Sequence, residues 1–281
     1  MTTPAALLPA IVALARAAGA EILRLYTSGL TVQTKADDSP LTAADLAAHQ
    51  RIAAGLAQLT PGLPLLSEEG AGLPFAARQS WTRFWLVDPL DGTREFVKCN
   101  GEFTVNIALI DHGRPVLGVV HAPALATTYS AAAGAGAWKQ AVGAATTALH
   151  TSTTRQPPRV LASRSHVTPE LARLLGRLPP HEVLHIGSSL KFCLVAEGKA
   201  DFYPRLGPTA EWDTAAGQCV VEEAGGIVTD TVGSPLRYNS RESLLNPSFL
   251  VAGEAGYPWR KYVQESQPSS PGHHGRRTRS G

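Results

Sequence analysis

The sequence predicts a mixed α/β fold in two halves: an N-terminal α+β half over residues 1–152 and a C-terminal α/β half over 153–264. Three features predict it. An apolar face with helical spacing opens the chain, short apolar runs that end in carboxylates or hairpin turns follow it, and beyond Pro158 strands alternate with helices. With 281 residues, 44% of them hydrophobic and 17% charged, the chain is long enough for one large or two small domains around a sizeable core.

Leu7, Ile11, Leu14, Ala18, Ile22 and Leu25 recur at three- and four-residue steps, as the buried face of an amphipathic helix requires. Leu30 to Lys35 then alternates like a strand. A polar turn, Ala36-Asp37-Asp38-Ser39-Pro40, leads to Thr42 as the cap of a helix running from about Ala43 to Leu59. Pro64 to Ser67 and Phe84 to Val87 read as buried strands that deliver Glu68-Glu69 and Asp88 at their ends. Phe103 to Ile110 and Val116 to His121 form a hairpin through Asp111-His112-Gly113-Arg114, with a further strand near Thr127 to Ala131.

The Ala/Thr-rich and Pro-containing stretch from Gln140 to Pro158 marks the border between the halves. Beyond it, strands at Val160–Ala162, Val183–His185, Asp201–Pro204 and Gly226–Val228 alternate with helices at Pro169–Leu175, Ser189–Glu197 and Trp212–Ala224. Residues 265–281 include a stretch from Gln267 onward without aliphatic or aromatic side chains, which predicts a disordered tail with His273 and His274 solvated.

The formal charge of +2 comes from Arg276, Arg277 and Arg279; the body without them is near −1, which argues against a nucleic-acid polymer as partner. Cys99, Cys193 and Cys219 fit no metal-ligand spacing and read as small buried residues of a protein in a reducing cytoplasm. The Ala-rich start has no basic residue before Arg16, unlike a signal peptide, and no stretch holds the ~18 uninterrupted apolar residues of a transmembrane segment.

The chemistry concentrates in Trp85-Leu-Val-Asp88-Pro89-Leu90-Asp91-Gly92-Thr93. Asp88 ends a strand, Pro89 stiffens the exit, Asp91 follows three residues later, and Gly92-Thr93 begins a turn whose amides can face an anion. Alone, such a turn serves local geometry as readily as chemistry. Glu68, at another strand end, and Asp213, at the start of the helix in Glu211-Trp212-Asp213-Thr214-Ala215-Ala216-Gly217, extend the set. Were the four to converge, each like-charged pair at ~4 Å and an effective dielectric of ~20 would cost on the order of 4 kcal/mol, so the cluster would need protons or cations. Hard oxygen donors without His or Cys point to Mg²⁺ rather than zinc.

Through Ser67-Glu68-Glu69, Asp88-Pro-Leu-Asp-Gly-Thr93 and Trp212-Asp213-Thr-Ala-Ala-Gly217, the chain resembles the lithium-sensitive, magnesium-dependent inositol monophosphatase superfamily. Within it, Lys35 to Asp45, Asn100 to Ile110 and Gly187-Ser-Ser-Leu-Lys-Phe-Cys193 look most like the bacterial CysQ-type 3'(2'),5'-bisphosphate nucleotidases. The resemblance implies a layered αβαβα sandwich of the sugar phosphatase type with two or three Mg²⁺ per active site. Glu68, Asp88, Asp91, Asp213 and the Leu90 carbonyl would be the metal ligands. Water would attack phosphorus, activated with the help of Glu68 and the Thr93 hydroxyl, and Asp45 would support that network. Gly92 and Thr93 amides would hold the phosphate.

On the same resemblance the substrate is 3'-phosphoadenosine 5'-phosphate, a small phosphorylated nucleotide arising in sulfate assimilation. Ser188, Lys191 and Arg205 would take its non-reacting phosphate and His166 its adenine. Each has a plainer reading: Ser188 as a helix cap, Lys191 as solvated, Arg205 as paired with an acid, His166 as a turn residue. A cytoplasmic location, with loose association at the inner-membrane face, is a further implication. The alternative is a plain inositol monophosphatase or related sugar phosphatase, which has no use for a second cationic pocket. The haloacid-dehalogenase pattern needs one residue between its acids, where this chain has Pro89 and Leu90. A non-catalytic nucleotide sensor would be expected to lose an acid or the threonine, and none is missing.

Overall fold

The computed structural model describes residues 2–26, 32–34, 40–70, 72–164 and 168–264. The expected tail and His166 lie outside them. The chain runs through α1 (Pro4–Tyr26), β1 (Val32–Thr34), β2 (Pro40–Thr42), α2 (Ala43–Leu59), β3 (Leu65–Ser67), α3 (Phe75–Arg78), β4 (Arg83–Asp91) and α4 (Thr93–Val97). The meander β5 (Thr104–Asp111), β6 (Arg114–Ala122), β7 (Thr127–Ala132), β8 (Gly136–Ala141) and β9 (Thr147–Ala148) follows. Then come β10 (Arg159–Ser163), α5 (Pro169–Leu175), β11 (Glu182–Ile186), α6 (Leu190–Ala196), β12 (Phe202–Arg205), α7 (Ala215–Glu223), β13 (Ile227–Asp230), β14 (Phe249–Ala252) and α8 (Trp259–Gln264).

Two large sheets organise these elements, a seven-stranded one in the order β3-β4-β5-β6-β7-β8-β9 and a five-stranded one in the order β11-β10-β12-β14-β13. Three apolar layers hold them. Leu7, Ile11, Leu14, Ala18 and Ile22 of α1, with Ala48, Ile52 and Leu56 of α2, pack on Trp85, Val87, Val105, Ile107 and Leu109 of the first sheet. The other face of that sheet, carrying Phe84, Leu86, Ala108, Ile110 and Val120, meets α6 and α7 through Leu190, Phe192, Cys193, Cys219 and Val220. The same middle layer receives Leu161, Tyr203, Val228, Phe249 and Val251 of the second sheet. Beyond it, Val160, Phe202 and Leu250 pack on Leu174 of α5 and on Trp259 and Val263 of α8. The fold is therefore a mixed α/β sandwich layered αβαβα.

This layering explains why the central strands read as unbroken apolar runs. Consecutive residues of β4 enter different cores, Phe84 and Leu86 on one side, Trp85 and Val87 on the other. On α8, Trp259 stacks on Phe202 with ring centroids 4.1 Å apart. By length and composition alone α1 could cross a membrane; its buried face contributes to the core it shares with α2 and the first sheet.

Several boundaries differ from expectation. Strand β4 does not end at Asp88 but continues to Asp91, with a bulge between Asp88 and Asp91. Helix α7 starts at Ala215, so Asp213 stands in the turn before the helix rather than in its first turn. Strand β9 and the end of β8 lie inside the stretch 140–158 read as a border, because pairing of β8 with β7 and of β9 with β8 overrides weak local strand preference. Cys193 and Cys219 are buried as expected, whereas Cys99 is exposed.

Candidate active site

Parallel pairing of β3 with β4 sets Ser67 beside Val87, so Glu68, just past β3, and Asp88, still paired within β4, follow at the same end of that pairing. The Asp88 Oδ1 accepts the Leu90 amide at 3.0 Å, closing the bend that carries the chain over the bulge to Asp91. Gly92 follows with φ 86°, where a Cβ would lie 3.0 Å from the Glu102 carbonyl oxygen, so glycine is required. Thr93 opens α4, and its hydroxyl donates to the Leu90 carbonyl at 3.4 Å.

Asp213 approaches from the other side, its Oδ2 accepting the Ala210 amide at 3.2 Å. Asp88, Asp91 and Asp213 each bring a carboxylate oxygen within 4.8 Å of the others. Burial pushes the Asp88 carboxyl well above its ordinary range, and Glu68, Asp91, Asp213 and Asp45 add to the rise. Asp213 is raised by burial, then by Asp91 and Glu68. Asp45, fully buried on α2, thus makes its charge felt at Asp88. The acids converge and disfavour one another's charge, which a cation would relieve. Every donor here is a hard oxygen, and the set fits a divalent ion such as Mg²⁺.

Asp91 is held by residues that motif reading did not single out. Its Oδ2 accepts the Ser189 amide at 2.6 Å and the Ser189 hydroxyl at 2.7 Å, with Thr104 and Asn106 donating at 3.4 Å. The sequence signal for this is the second serine of Gly187-Ser188-Ser189.

The acids share the lining of a cavity of about 270 Å³ with Ser188, Lys191, Tyr203 and Arg205. Lys191 is only 6% exposed, against the solvated alternative. Its Nζ donates to the Ser188 carbonyl at 2.6 Å and lies 5.4 Å from the Tyr203 ring centroid. Burial lowers its pKa to about 8, opposed by the nearby Asp91. Arg205 is set by bonds to the Thr209 hydroxyl (2.6 Å) and the Pro208 carbonyl (2.9 Å) rather than by an acid. Ser188 occupies the left-handed region with φ 46°, and its hydroxyl accepts the Leu190 amide at 3.4 Å. The site residues expected within the described segments thus line this one cavity, except Asp45, which does not line it but acts on Asp88 through its charge.

Comparison with known proteins agrees with this architecture. The family model described as "Inositol monophosphatase family" matches residues 4–262. The 3'(2'),5'-bisphosphate nucleotidase CysQ of Escherichia coli K12 is 56% identical over 241 residues, 85% of this chain and 96% of that protein. Among solved structures, CysQ from Bacteroides thetaiotaomicron superposes with a TM-score of 0.75 at 43% identity, covering 88% of this chain and 97% of its own. An inositol monophosphatase of Thermotoga maritima gives 0.76 at 26% identity, covering 91% and 96%. Acid-lined cleft, five-layered sandwich and near end-to-end sequence match lead to one assignment: the chain belongs to the inositol monophosphatase family.

Proposed function

We propose that this chain is a Mg²⁺-dependent 3'(2'),5'-bisphosphate nucleotidase that hydrolyses 3'-phosphoadenosine 5'-phosphate to AMP and phosphate. The observation that carries the reading is the presence, in the lining of one cavity, of an acidic trio together with the cations Lys191 and Arg205. The match to CysQ nucleotidases supports it. In this reading Glu68, Asp88, Asp91, Asp213 and the Leu90 carbonyl hold the metal. Bound there, Mg²⁺ would supply Lewis-acid neutralisation of phosphoryl oxygens and a lowered pKa for water.

The chain's own groups do the rest. The Thr93 hydroxyl would orient the attacking water, the Glu68 carboxylate would take its proton as the new P–O bond forms, and the ribose oxygen would leave from phosphorus and pick up a proton from solvent, while the Gly92 and Thr93 amides face the reacting phosphate. Lys191, Arg205 and Ser188 hold the second phosphate, with His166 against the base. Asp45 behind Asp88 supports the network. The enzyme then works in the cytoplasm, clearing the nucleotide by-product of sulfate assimilation. A plain inositol monophosphatase would share the acids, but Lys191 and Arg205 in the same cavity favour a substrate with a second phosphate.

Phosphate release from 3'-phosphoadenosine 5'-phosphate, inositol 1-phosphate and fructose 1,6-bisphosphate, with Mg²⁺ and with chelator, tests this. A Mg²⁺-dependent preference for the nucleotide is expected. Preference for inositol phosphate would overturn the roles of Lys191 and Arg205 while keeping the acids, and no release from any substrate would overturn the enzymatic reading.

A further inference from the structure

The cavity-lining turn Gly187-Ser188-Ser189, which bonds Asp91 through Ser189, is fastened by two residues that do not themselves line the cavity. Glu102, in the loop after α4, is directed at this turn: its Oε2 accepts the Gly187 amide at 2.7 Å. The same carboxylate is gripped by Arg164, whose Nε reaches Oε2 at 2.8 Å and whose terminal nitrogen reaches Oε1 at 2.7 Å. Arg164 also donates to the His185 carbonyl at 2.8 Å, at the end of β11, from which the turn departs. Three segments of chain meet at this one carboxylate: the loop before β5, the end of β10 next to the cavity-lining Ser163, and the turn itself.

The packing leaves little freedom at this point. A Cβ on Gly187 would lie 2.6 Å from Glu95 Cγ and 2.9 Å from the Glu102 carbonyl oxygen, and a Cβ on Gly92 would meet that same carbonyl at 3.0 Å. Glu102 is therefore wedged between the backbone of Gly92, beside the metal ligands, and that of Gly187, in the cavity-lining turn. Two residues beyond Gly187 the chain bonds Asp91, and the carbonyl of Ser188 fixes Lys191 Nζ. The Arg164 side chain is 44% exposed and that of Glu102 14%, so the latch stands at the rim with its carboxylate turned inward.

We propose that Arg164 and Glu102 are positioning residues that set the spacing between the reacting-phosphate site and the cations Lys191 and Arg205, and so determine the preference for a substrate with two phosphates. This rests on the nucleotidase reading. Neither residue is placed to touch the reacting atoms; both act through the turn. Because a forked Arg–carboxylate pair holds its plane as well as its distance, Arg164→Lys is not an equivalent replacement.

The test compares Arg164→Gln, Glu102→Gln and the double variant with the parent enzyme. The readouts are kcat and KM for 3'-phosphoadenosine 5'-phosphate and for a small monophosphate, Mg²⁺ half-saturation, and hydrogen exchange of the peptide spanning 186–192. Each single variant should raise KM for the nucleotide about tenfold, about 1.4 kcal/mol. Turnover, Mg²⁺ half-saturation and KM for the monophosphate should change less than about threefold, and exchange at 186–192 should accelerate. The double variant should be no worse than the worse single, since the pair acts as one unit. Additive losses would make Arg164 a direct phosphate ligand, and equal losses on both substrates would make the pair merely structural; either overturns the proposal. If the parent enzyme itself lacks nucleotide preference, the nucleotidase reading falls, and the latch is then judged by exchange alone, unchanged exchange refuting it.

Discussion

Replacing Asp88 by asparagine should make the metal-free protein more stable and the enzyme inactive. The acids lie with oxygens within 4.8 Å of one another, and at that separation a pair of charges in an effective dielectric of ~20 repels by about 3.5 kcal/mol. Protonation relieves part of this, so removing the Asp88 charge should stabilise the chelated protein by about 2–3 kcal/mol. At ~2–4 °C per kcal/mol for a chain of this size, that is a rise of roughly 4–12 °C in Tm. Asparagine keeps an acceptor for the Leu90 amide, so the local bend survives. The sign with pH follows from the raised carboxyl: the cost is absent while Asp88 is protonated in both states and grows as pH climbs from about 4 toward the folded-state value. Thermal unfolding of both proteins at acid and mildly alkaline pH, with chelator and with Mg²⁺, is the assay. Parent stability should fall relative to the variant as pH rises, and Mg²⁺ should restore the parent while leaving the variant nearly unmoved. A chelated variant that melts below the parent, or one that Mg²⁺ stabilises equally, refutes the reasoning.

Four further outcomes are expected. Ser189→Ala removes the 2.7 Å hydroxyl bond to Asp91 but keeps the 2.6 Å amide bond; a loss of about 1–2 kcal/mol at the transition state, roughly 5–30-fold in kcat, should appear with far-ultraviolet circular dichroism unchanged. Lys191→Met should raise KM for the bisphosphate nucleotide more than for a monophosphate; an equal rise for both would place Lys191 outside the second-phosphate site. His121 is buried, and burial, with Arg16 adding, holds its pKa down to about 4. Its stability contribution is therefore complete above about 6.5 and fades as pH drops toward 4, amounting to about 3 kcal/mol, and the urea midpoint of His121→Asn should vary less over that window than the parent's. Millimolar-scale LiCl should inhibit turnover, since Li⁺ would have to replace a Mg²⁺ among the same acids; an enzyme indifferent to it would refute lithium sensitivity.

Much of the architecture could be read from the chain because its signals are local. The α1 face follows the 3.6-residue period, and Leu7, Ile11, Leu14, Ala18 and Ile22 are buried at the expected steps. The apolar runs around Leu66 and Leu86 announce strands covered on both faces. What escaped was set by tertiary pairing: β8 mixes small, aromatic and polar residues without a clear alternation and is ordered by β7, and β14 is an apolar run too short to carry a period. At the site, the acids were legible because several unusual residues fell into short motifs. Ser189, Asn106 and Thr104 were not, since an interior hydroxyl or amide looks like any other polar residue until the fold brings it against Asp91. Lys191 was legible as a cation but not as a buried one, because its burial depends on Tyr203 and the 186–188 backbone closing around it.

The bulge in β4 has a consequence of parity. On a regular strand, side chains three positions apart point to opposite faces, so an unbroken β4 would send Asp88 and Asp91 to different layers of the sandwich. The irregularity between them re-phases the strand, after which Asp91 pairs with Thr104 and its carboxylate stands beside that of Asp88. The catalytic geometry is thus written in a backbone defect. Transplanting the two aspartates at the same spacing onto a straight strand of another protein would separate them, although every acidic residue would still be present.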